Sequence, residues 1–314
     1  RDSYFGQFLV NNIIETLVLK NVTFKDNSCN SQYGGGTGLW IDDVKEVSFE
    51  DCKFINNVAT SSNRGHVPTG MQAYTSGDGG ALQYGFSTSI YEINMKFDNC
   101  LFSRNKAVRH GGALALQTVG TVVINKCTFE ENIANYKQSS AELLENHFNK
   151  KSEGRGGAIY INPVFELQNH DHTTKYMKSV TITGCTFKSN SAFDGFAIYI
   201  EGDDPGTEFT IKDNTFTSNS DGTSNSENRA VVLSEIDRLC KSGLDSSNTF
   251  SNPVGISIYK LLCVDHYART PSQTPMPTVH NETFGHQCDP RCEAIEDDPQ
   301  YPSFYEINDV NLAN

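Results

Sequence analysis

Three sets of residues have types and spacings suited to chemistry. The first is carboxylates: the pairs Asp42-Asp43 and Asp203-Asp204, and the single Asp213. Carboxylates grouped on one face bind calcium, or serve as acid and base in polysaccharide lyases and hydrolases beside a Lys or Arg. The second is His170-Asp171-His172, which offers two imidazoles to a metal. The third is the nine cysteines, at positions 29, 52, 100, 127, 185, 240, 263, 288 and 292. An HxH with no further ligand nearby in sequence reads as a solvated loop. Cys288-x-x-x-Cys292 has half of a zinc site, but no partner pair follows, so a disulfide is the better reading. No Ser-His-Asp order, P-loop or dinucleotide fingerprint is present. The sequence therefore reads as that of a protein that is not an enzyme and needs no metal or cofactor.

Whether any of these residues meet depends on the elements that carry them, and those elements repeat. A phenylalanine motif recurs as VTFKDNS (22–28), CKFINNVA (52–59), CLFSRNKA (100–107), CTFEENIA (127–134), CTFKSNSA (185–192) and NTFTSNSD (214–221), with a degenerate NTFSN at 248–252. Its phenylalanines are spaced by 30, 48, 27, 58, 29 and 34, a base period of 27–30 with two large insertions. A glycine motif follows each turn: GGGTGLWI (34–41), GGALQY (79–84), GGALAL (111–116), GGAIYI (156–161) and GFAIYI (195–200). Before each phenylalanine motif lies a Val/Ile/Thr-rich segment alternating apolar with polar, such as VKEVSFED (44–51) or KSVTITG (178–184). Alternation of this kind marks a strand with one buried face.

Three short strands per period, repeated in series, predict an all-β fold: a right-handed parallel β-helix of about seven to eight coils. Each strand pairs with its equivalent one coil away, at ~4.8 Å. Equivalent residues then stack into columns. Phe54, Phe102, Phe129, Phe187 and Phe216 form an internal aromatic column. Asn57, Asn105, Asn132, Asn190 and Asn219 form an amide ladder, with Asn56 a weaker rival to Asn57. Cys52, Cys100, Cys127 and Cys185 form a file of small buried side chains, with an occasional bridge as the alternative. The acidic pairs follow strands after the glycine turn, but in coils two and six, on the order of 20 Å apart at ~4.8 Å per coil. They read as ordinary turn carboxylates.

The insertions fall between elements and are expected as surface loops: 60–77, 136–153 with a short helix at 140–148 capped by Ser140, and 162–177 with the HxH. The pattern decays from Glu227, with a last strand around Ile256, Ile258, Leu261 and Leu262. Residues 1–265 are therefore taken as the solenoid domain, and 266–314 as a proline-rich connector (RTPSQTPMPT, 269–278) and an irregular Cys-containing tail. The tail either drapes over the solenoid or begins another module. Cys240, Cys263, Cys288 and Cys292 are the disulfide candidates, with Cys240 and Cys263 placed to staple the C-terminal end. The acidic run Glu296-Asp297-Asp298 reads as solvated surface.

The GGA[I/L] and FxxN pairing resembles the repeat of chlamydial polymorphic outer membrane proteins, which also occurs in large surface proteins of protists. The residues that carry it are GGALQY with CKFINN, GGALAL with CTFEEN, and GGAIYI with CTFKSN, and the likeness covers residues 14–220. It implies a β-helix displayed outside the cell, in adhesive or structural roles, with no catalytic residues to carry over. The chain lacks the transporter barrel of the bacterial family. Its sequons at Asn21 and Asn281, and its cysteines, point to an extracellular glycoprotein. A formal net charge of -13 argues against nucleic acid or an anionic membrane as partner. No apolar run approaches a membrane span. The first ten residues lack the ordered regions of a signal peptide, so the chain reads as a processed product or an excerpt. The expected function is that of an extracellular structural or adhesive protein, a subunit of a surface assembly or filament, with other chains or glycans as partners. The alternative is a polysaccharide-binding or polysaccharide-degrading β-helix, and an exposed strip of Trp40, Tyr84, Tyr160 and Tyr199 would favour glycan binding.

Overall fold

Four stacks of short strands account for the repeats. In this computed structural model the described residues are 9–10, 14–29, 39–41, 44–59, 78–84, 92–116, 120–134, 154–162, 164–166, 174–192, 195–201, 207–220, 230–234, 242–244, 248–250, 256–259, 261–262, 306–307 and 310–311. The strands after the glycine turns, from Leu9–Val10 and Leu39–Ile41 to Ile256–Tyr259, form one sheet, here the glycine sheet. The alternating strands, from Ile14–Lys20 to Ser242–Leu244, form the second, and the phenylalanine strands, from Thr23–Lys25 to Thr249–Phe250, the third. A short fourth sheet, Ser28–Cys29, Val58–Ala59 and Lys106–Ala107, continues through Ile133, Ser191 and Ser220 as single bridges. Successive coils pair in parallel and in register, Phe54 with Phe102 and Phe102 with Phe129, for example. The molecule is a right-handed parallel β-helix.

The register turns the core into columns. The rings of Phe24, Phe54, Phe102, Phe129, Phe187 and Phe216 stack at 4.7–4.9 Å, within 8° of parallel. Phe49 and Phe97, on the alternating sheet, stack at 4.9 Å and meet this column edge-on. Each fully buried phenylalanine contributes about 1.5–3 kcal/mol of burial and a further ~0.5–1.5 kcal/mol from ring geometry.

The amide ladder is the polar counterpart. The backbone N–H and the side-chain Nδ2 of Asn105 both donate to Oδ1 of Asn132, at 3.0 Å each, and Nδ2 also donates to the Phe54 carbonyl at 2.9 Å. The same three bonds recur at Asn57, Asn132 and Asn190, the last donating to Asn219. Asn27 adds a rung above Asn57. Asn56 faces outward instead, in a left-handed turn, and bonds Asp26.

Two left-handed turns per coil carry the chain round these corners. One places Asn21, Asp51, Asn99, Lys126, Gly184 and Asp213 at positive φ; the other places Asp26, Asn56, Arg104, Glu131, Ser189 and Ser218 there. Charged residues such as Lys126 and Glu131 accept that strain, roughly 1–2 kcal/mol each. Their backbone N–H groups donate to the next coil, Lys126 to the Thr183 carbonyl and Glu131 to that of Lys188, at 2.9 Å. At the glycine turn the demand is steric. A Cβ on Gly112 would lie 2.6 Å from the Ile133 nitrogen and closer still to the Gly157 carbonyl.

Two expectations change. The cysteine column is a second hydrogen-bonded ladder, not merely an apolar file. Cys100 and Cys127 donate their backbone N–H to the sulfur of the next coil's cysteine at 3.4 Å, and Cys185 donates to Asn214 Oδ1 at 2.9 Å. The thiols donate to carbonyls, Cys52 to Leu19 at 3.3 Å and Cys185 to Thr183 at 3.3 Å. Asn214 and Asn248 then extend the same column. All four cysteines are free thiols, so no bridge forms in the column. In-register stacking keeps their Cβ atoms about a coil apart, ~4.8 Å, beyond the ~3.5–4.5 Å that a disulfide needs. Second, 162–177 is partly a hairpin: Val164–Glu166 pairs antiparallel with the start of Thr174–Thr183, because Val164, Phe165 and Tyr176 favour strand on both sides of a polar turn. Within the stretch where the motif decays, Ser242–Leu244 and Thr249–Phe250 add a further coil. Backbone pairing tolerates the sequence drift there. The expected helix at 140–148 and the cysteines Cys240, Cys263, Cys288 and Cys292 lie outside the described residues.

Asn132→Ala takes the acceptor from two Asn105 donors and a donor from the Phe102 carbonyl, while Asn190 Oδ1 keeps the backbone N–H of residue 132; at ~1–3 kcal/mol for each buried orphan it is expected to cost about 3–5 kcal/mol in urea unfolding. Asn219→Ala, at a half-buried rung, should cost clearly less; equal costs would refute the ladder's role. The thiols give a second prediction. The hydrogen bond to Cys127, then burial, raise the Cys100 pKa well above the ordinary thiol value. At Cys127 the bond with Cys100 lowers the pKa, but the bond with Cys185 and burial outweigh it, so the net shift is upward. Burial also raises Cys52. A raised folded pKa means the unfolded chain loses its protons first. The contribution is whole below the ordinary thiol range, about pH 8.5, and is lost as pH rises beyond it. Stability measured from pH 7 to 10 should fall, and Cys100→Ser should flatten that fall.

Candidate functional site

The long intervals between described strands fall at particular corners of the coil. The turns from alternating strand to phenylalanine strand keep a fixed two-residue length through the first six coils, as in Asp51-Cys52 and Lys126-Cys127. The segments 60–77, 85–91, 117–119, 135–153, 167–173, 202–206 and 221–229 all leave or rejoin the coil next to the glycine sheet. The fold thus gathers its variable chain at the two borders of one sheet. Loops carried on a rigid scaffold are where recognition usually resides.

The outer face of that sheet is built from two positions per coil. The first is the middle residue of each strand: Trp40, Gln83, Ala115, Tyr160 and Tyr199, in register. The second is the residue just before the glycines: Asp78, His110 and Arg155, stacked through Gly79 N–H to the His110 carbonyl and Gly111 N–H to the Arg155 carbonyl, at 2.9 Å each. The pre-glycine side chains reach over the aromatic one coil on. The His110 ring stacks on Tyr160 at 4.6 Å, filling the level where Ala115 has only a methyl group. The Arg155 guanidinium lies 4.8 Å over Tyr199, a cation–π geometry. Tyr160 stacks on Tyr199 at 6.1 Å.

Asp78 closes the upper end. It is 3% exposed, and its Oδ1 accepts the His110 backbone N–H at 3.0 Å and lies 3.7 Å from Arg109 Nε. Gln83, one rung below Trp40, is 2% exposed, and its Oε1 has no hydrogen-bond partner. A buried acceptor left unsatisfied in a chain whose internal amides are so fully paired marks a polar position kept at some cost.

The other candidate residues do not converge here. Asp42, Asp43, Asp203, Asp204, the His170-Asp171-His172 run and Glu296-Asp297-Asp298 lie outside the described residues, as does Asn281. Asp213 is exposed in a left-handed turn on another face. Of the side chains described on the outer glycine face, only Asp78 is a carboxylate, and among the described residues no three His, Cys, Asp or Glu side chains are placed to hold a metal. Among those residues no helix is long and apolar enough to cross a membrane. Asn21 is exposed at its left-handed turn, with Thr23 also exposed, so its sequon faces solvent.

The exposed aromatic strip that would favour glycan binding is not formed by these four residues. Trp40, Tyr84 and Tyr199 are buried and Tyr160 is half-buried. Tyr84 points into the core level of Ile41 and Leu116 and donates its hydroxyl to the Val44 carbonyl at 3.0 Å. The faces of Tyr160 are taken by His110 and Tyr199. Sequence reading missed Asp78, Gln83, His110 and Arg155. Their signal was available: the residue before each glycine pair changes from Asp to His to Arg while the glycines stay.

Residues 81–235 match the family model described as a right handed beta helix region. No curated protein and no solved structure matches the chain.

Gln83→Met removes the unsatisfied acceptor. It should change stability by less than about 1 kcal/mol, unlike the loss of a fully bonded core amide. Thermal or urea unfolding checks this, and a cost above ~2 kcal/mol would show that Gln83 is a structural rung after all.

Proposed function

We propose that the chain is an extracellular structural or adhesive surface protein, in which the solenoid is a rigid rod and the loop-bearing glycine face does the binding. The observation that carries this is that the described strands flanking the long intervening segments fall at the borders of one sheet, whose outer side carries a column of polar and aromatic groups. The other faces are regular and largely self-paired: Asn94 with Glu46 and Thr121, Asp51 with Asn99, Asp98 with Asn125, Lys178 with Glu92. The GGA and FxxN repeats, through their resemblance to the chlamydial polymorphic outer membrane protein repeat and to protist surface proteins, support display outside the cell. The exposed Asn21 sequon suits the same compartment. Free thiols are compatible with it, since buried thiols react slowly with oxidants.

β-Helices serve surface proteins and polysaccharide-degrading enzymes alike, so the fold does not choose between them. The resemblance of the repeats to surface proteins is what favours binding over catalysis. In this reading the partners are neighbouring chains of a surface assembly, or glycans of a neighbouring cell.

Antibody raised against the solenoid should label intact, unpermeabilised source cells, and added protease should remove that signal; labelling only after permeabilisation sinks the proposal. Incubation with acidic and neutral polysaccharides should release no reducing ends above the protein-free control. Clear release would replace the adhesive reading with the enzymatic one.

A further inference from the structure

Four free thiols run through the core that the surface reading does not use. Cys52, Cys100, Cys127 and Cys185 are all buried, one to a coil. Each stands directly before a residue paired in register: Lys53 with Leu101, Leu101 with Thr128 and Thr128 with Thr186. Leu101, Thr128 and Thr186 donate their backbone N–H to the carbonyls of Cys52, Cys100 and Cys127 at 2.9 Å each, so the backbone fixes the file at this level.

We propose that this file is a binding site for soft monovalent cations, copper(I) or silver(I), each held in line between the sulfurs of two successive coils. Three features carry the argument. The first is spacing. Ions of this class select thiolate sulfur and take two such ligands in a straight line. Two metal–sulfur bonds of about 2.3 Å span about 4.6 Å, near the ~4.8 Å rise from coil to coil. A site of this kind needs only a pair of ligands, so it agrees with the lack of any described group of three that could hold a metal. The second is the proton already lying there: the Cys127 thiol shares hydrogen bonds with those of Cys100 and Cys185. The ion takes the place of that proton. The third is support from the backbone. The sulfurs of Cys127 and Cys185 accept the N–H groups of Cys100 and Cys127 at 3.4 Å, so a thiolate formed there finds a donor in place.

The exchange balances without electron transfer. Each ion displaces one thiol proton to solvent, and the S–H···S contact becomes S–metal–S. The charges of cation and thiolate cancel, so the filled file adds no net charge to the core, where a bare charge is costly. Four sulfurs leave three gaps, so three ions fill the file and one sulfur keeps its proton. Uptake competes with protons and weakens as the pH falls. It is slow, because entry waits on local opening of the coils. The inference stands apart from the surface reading, and neither depends on the other.

The test uses the full chain, with its reactive thiols first alkylated in the folded state. It is incubated at length with silver(I) nitrate in chloride-free buffer, freed of loose metal by gel filtration and assayed for silver. The native chain should retain three ions and release one proton for each. Cys127→Ser removes the sulfur common to two gaps and should retain one ion; Cys52→Ser and Cys185→Ser should each retain two. Should Cys127→Ser lose strand content by circular dichroism, X-ray absorption on the silver-loaded native chain decides, and two sulfur neighbours per ion are expected. No retained silver, an equal loss from all three variants, or oxygen or nitrogen neighbours in place of sulfur overturns the proposal.

Discussion

Coil-to-coil register is the constraint on which everything else in this molecule depends. A one-residue slip would turn every inward side chain outward. Three columns oppose such a slip at once. The phenylalanines oppose it least, since stacked rings slide at modest cost. The asparagines oppose it most, because each rung uses one oxygen and both amide protons, and a shift would bury several unpaired groups in a medium of low dielectric. The cysteine column adds a weaker version of the same constraint and changes to asparagine at Asn214 and Asn248 without a break. Amide and thiol are thus interchangeable at that position as rungs, although they differ in size and polarity.

The turns show what the register costs. Positive-φ positions are filled by Asn and Asp in several coils, but by Arg104, Lys126 and Glu131 in others. Strain at those residues is offset by a backbone hydrogen bond to the neighbouring coil, repeated at each level. Local propensity is overridden by an interaction available only once the coils stack, so a single coil has little reason to form alone. This is the usual logic of solenoids, in which neighbouring repeats stabilise one another.

Much of the fold was legible because its period is written in residues of narrow tolerance. Phe54, Phe102 and Phe129, or Gly111-Gly112, admit few substitutes where they sit, so the repeat survives in the sequence. The outer face was less legible. His110 and Arg155 matter through a reach onto the next coil, which no spacing within one repeat encodes. Trp40, Tyr84, Tyr160 and Tyr199 were correctly placed at strand positions, yet their exposure depends on neighbours from other coils, and Tyr84 sits on the inner side. The pairing of Val310–Asn311 with Ile256–Tyr259 left no pattern to read, since two residues are too short for alternation.

The amide ladder also has a direction. Each asparagine from Asn27 to Asn190 gives one side-chain proton to the oxygen of the coil that follows. Aligned amides of this kind make the rod chemically polar, like an arrow with an oxygen at its tail and hydrogen at its tip. Two such ladders could continue one another only when oriented alike; nose to nose they would set hydrogen against hydrogen, and tail to tail oxygen against oxygen. The core therefore gives the rod two chemically different ends.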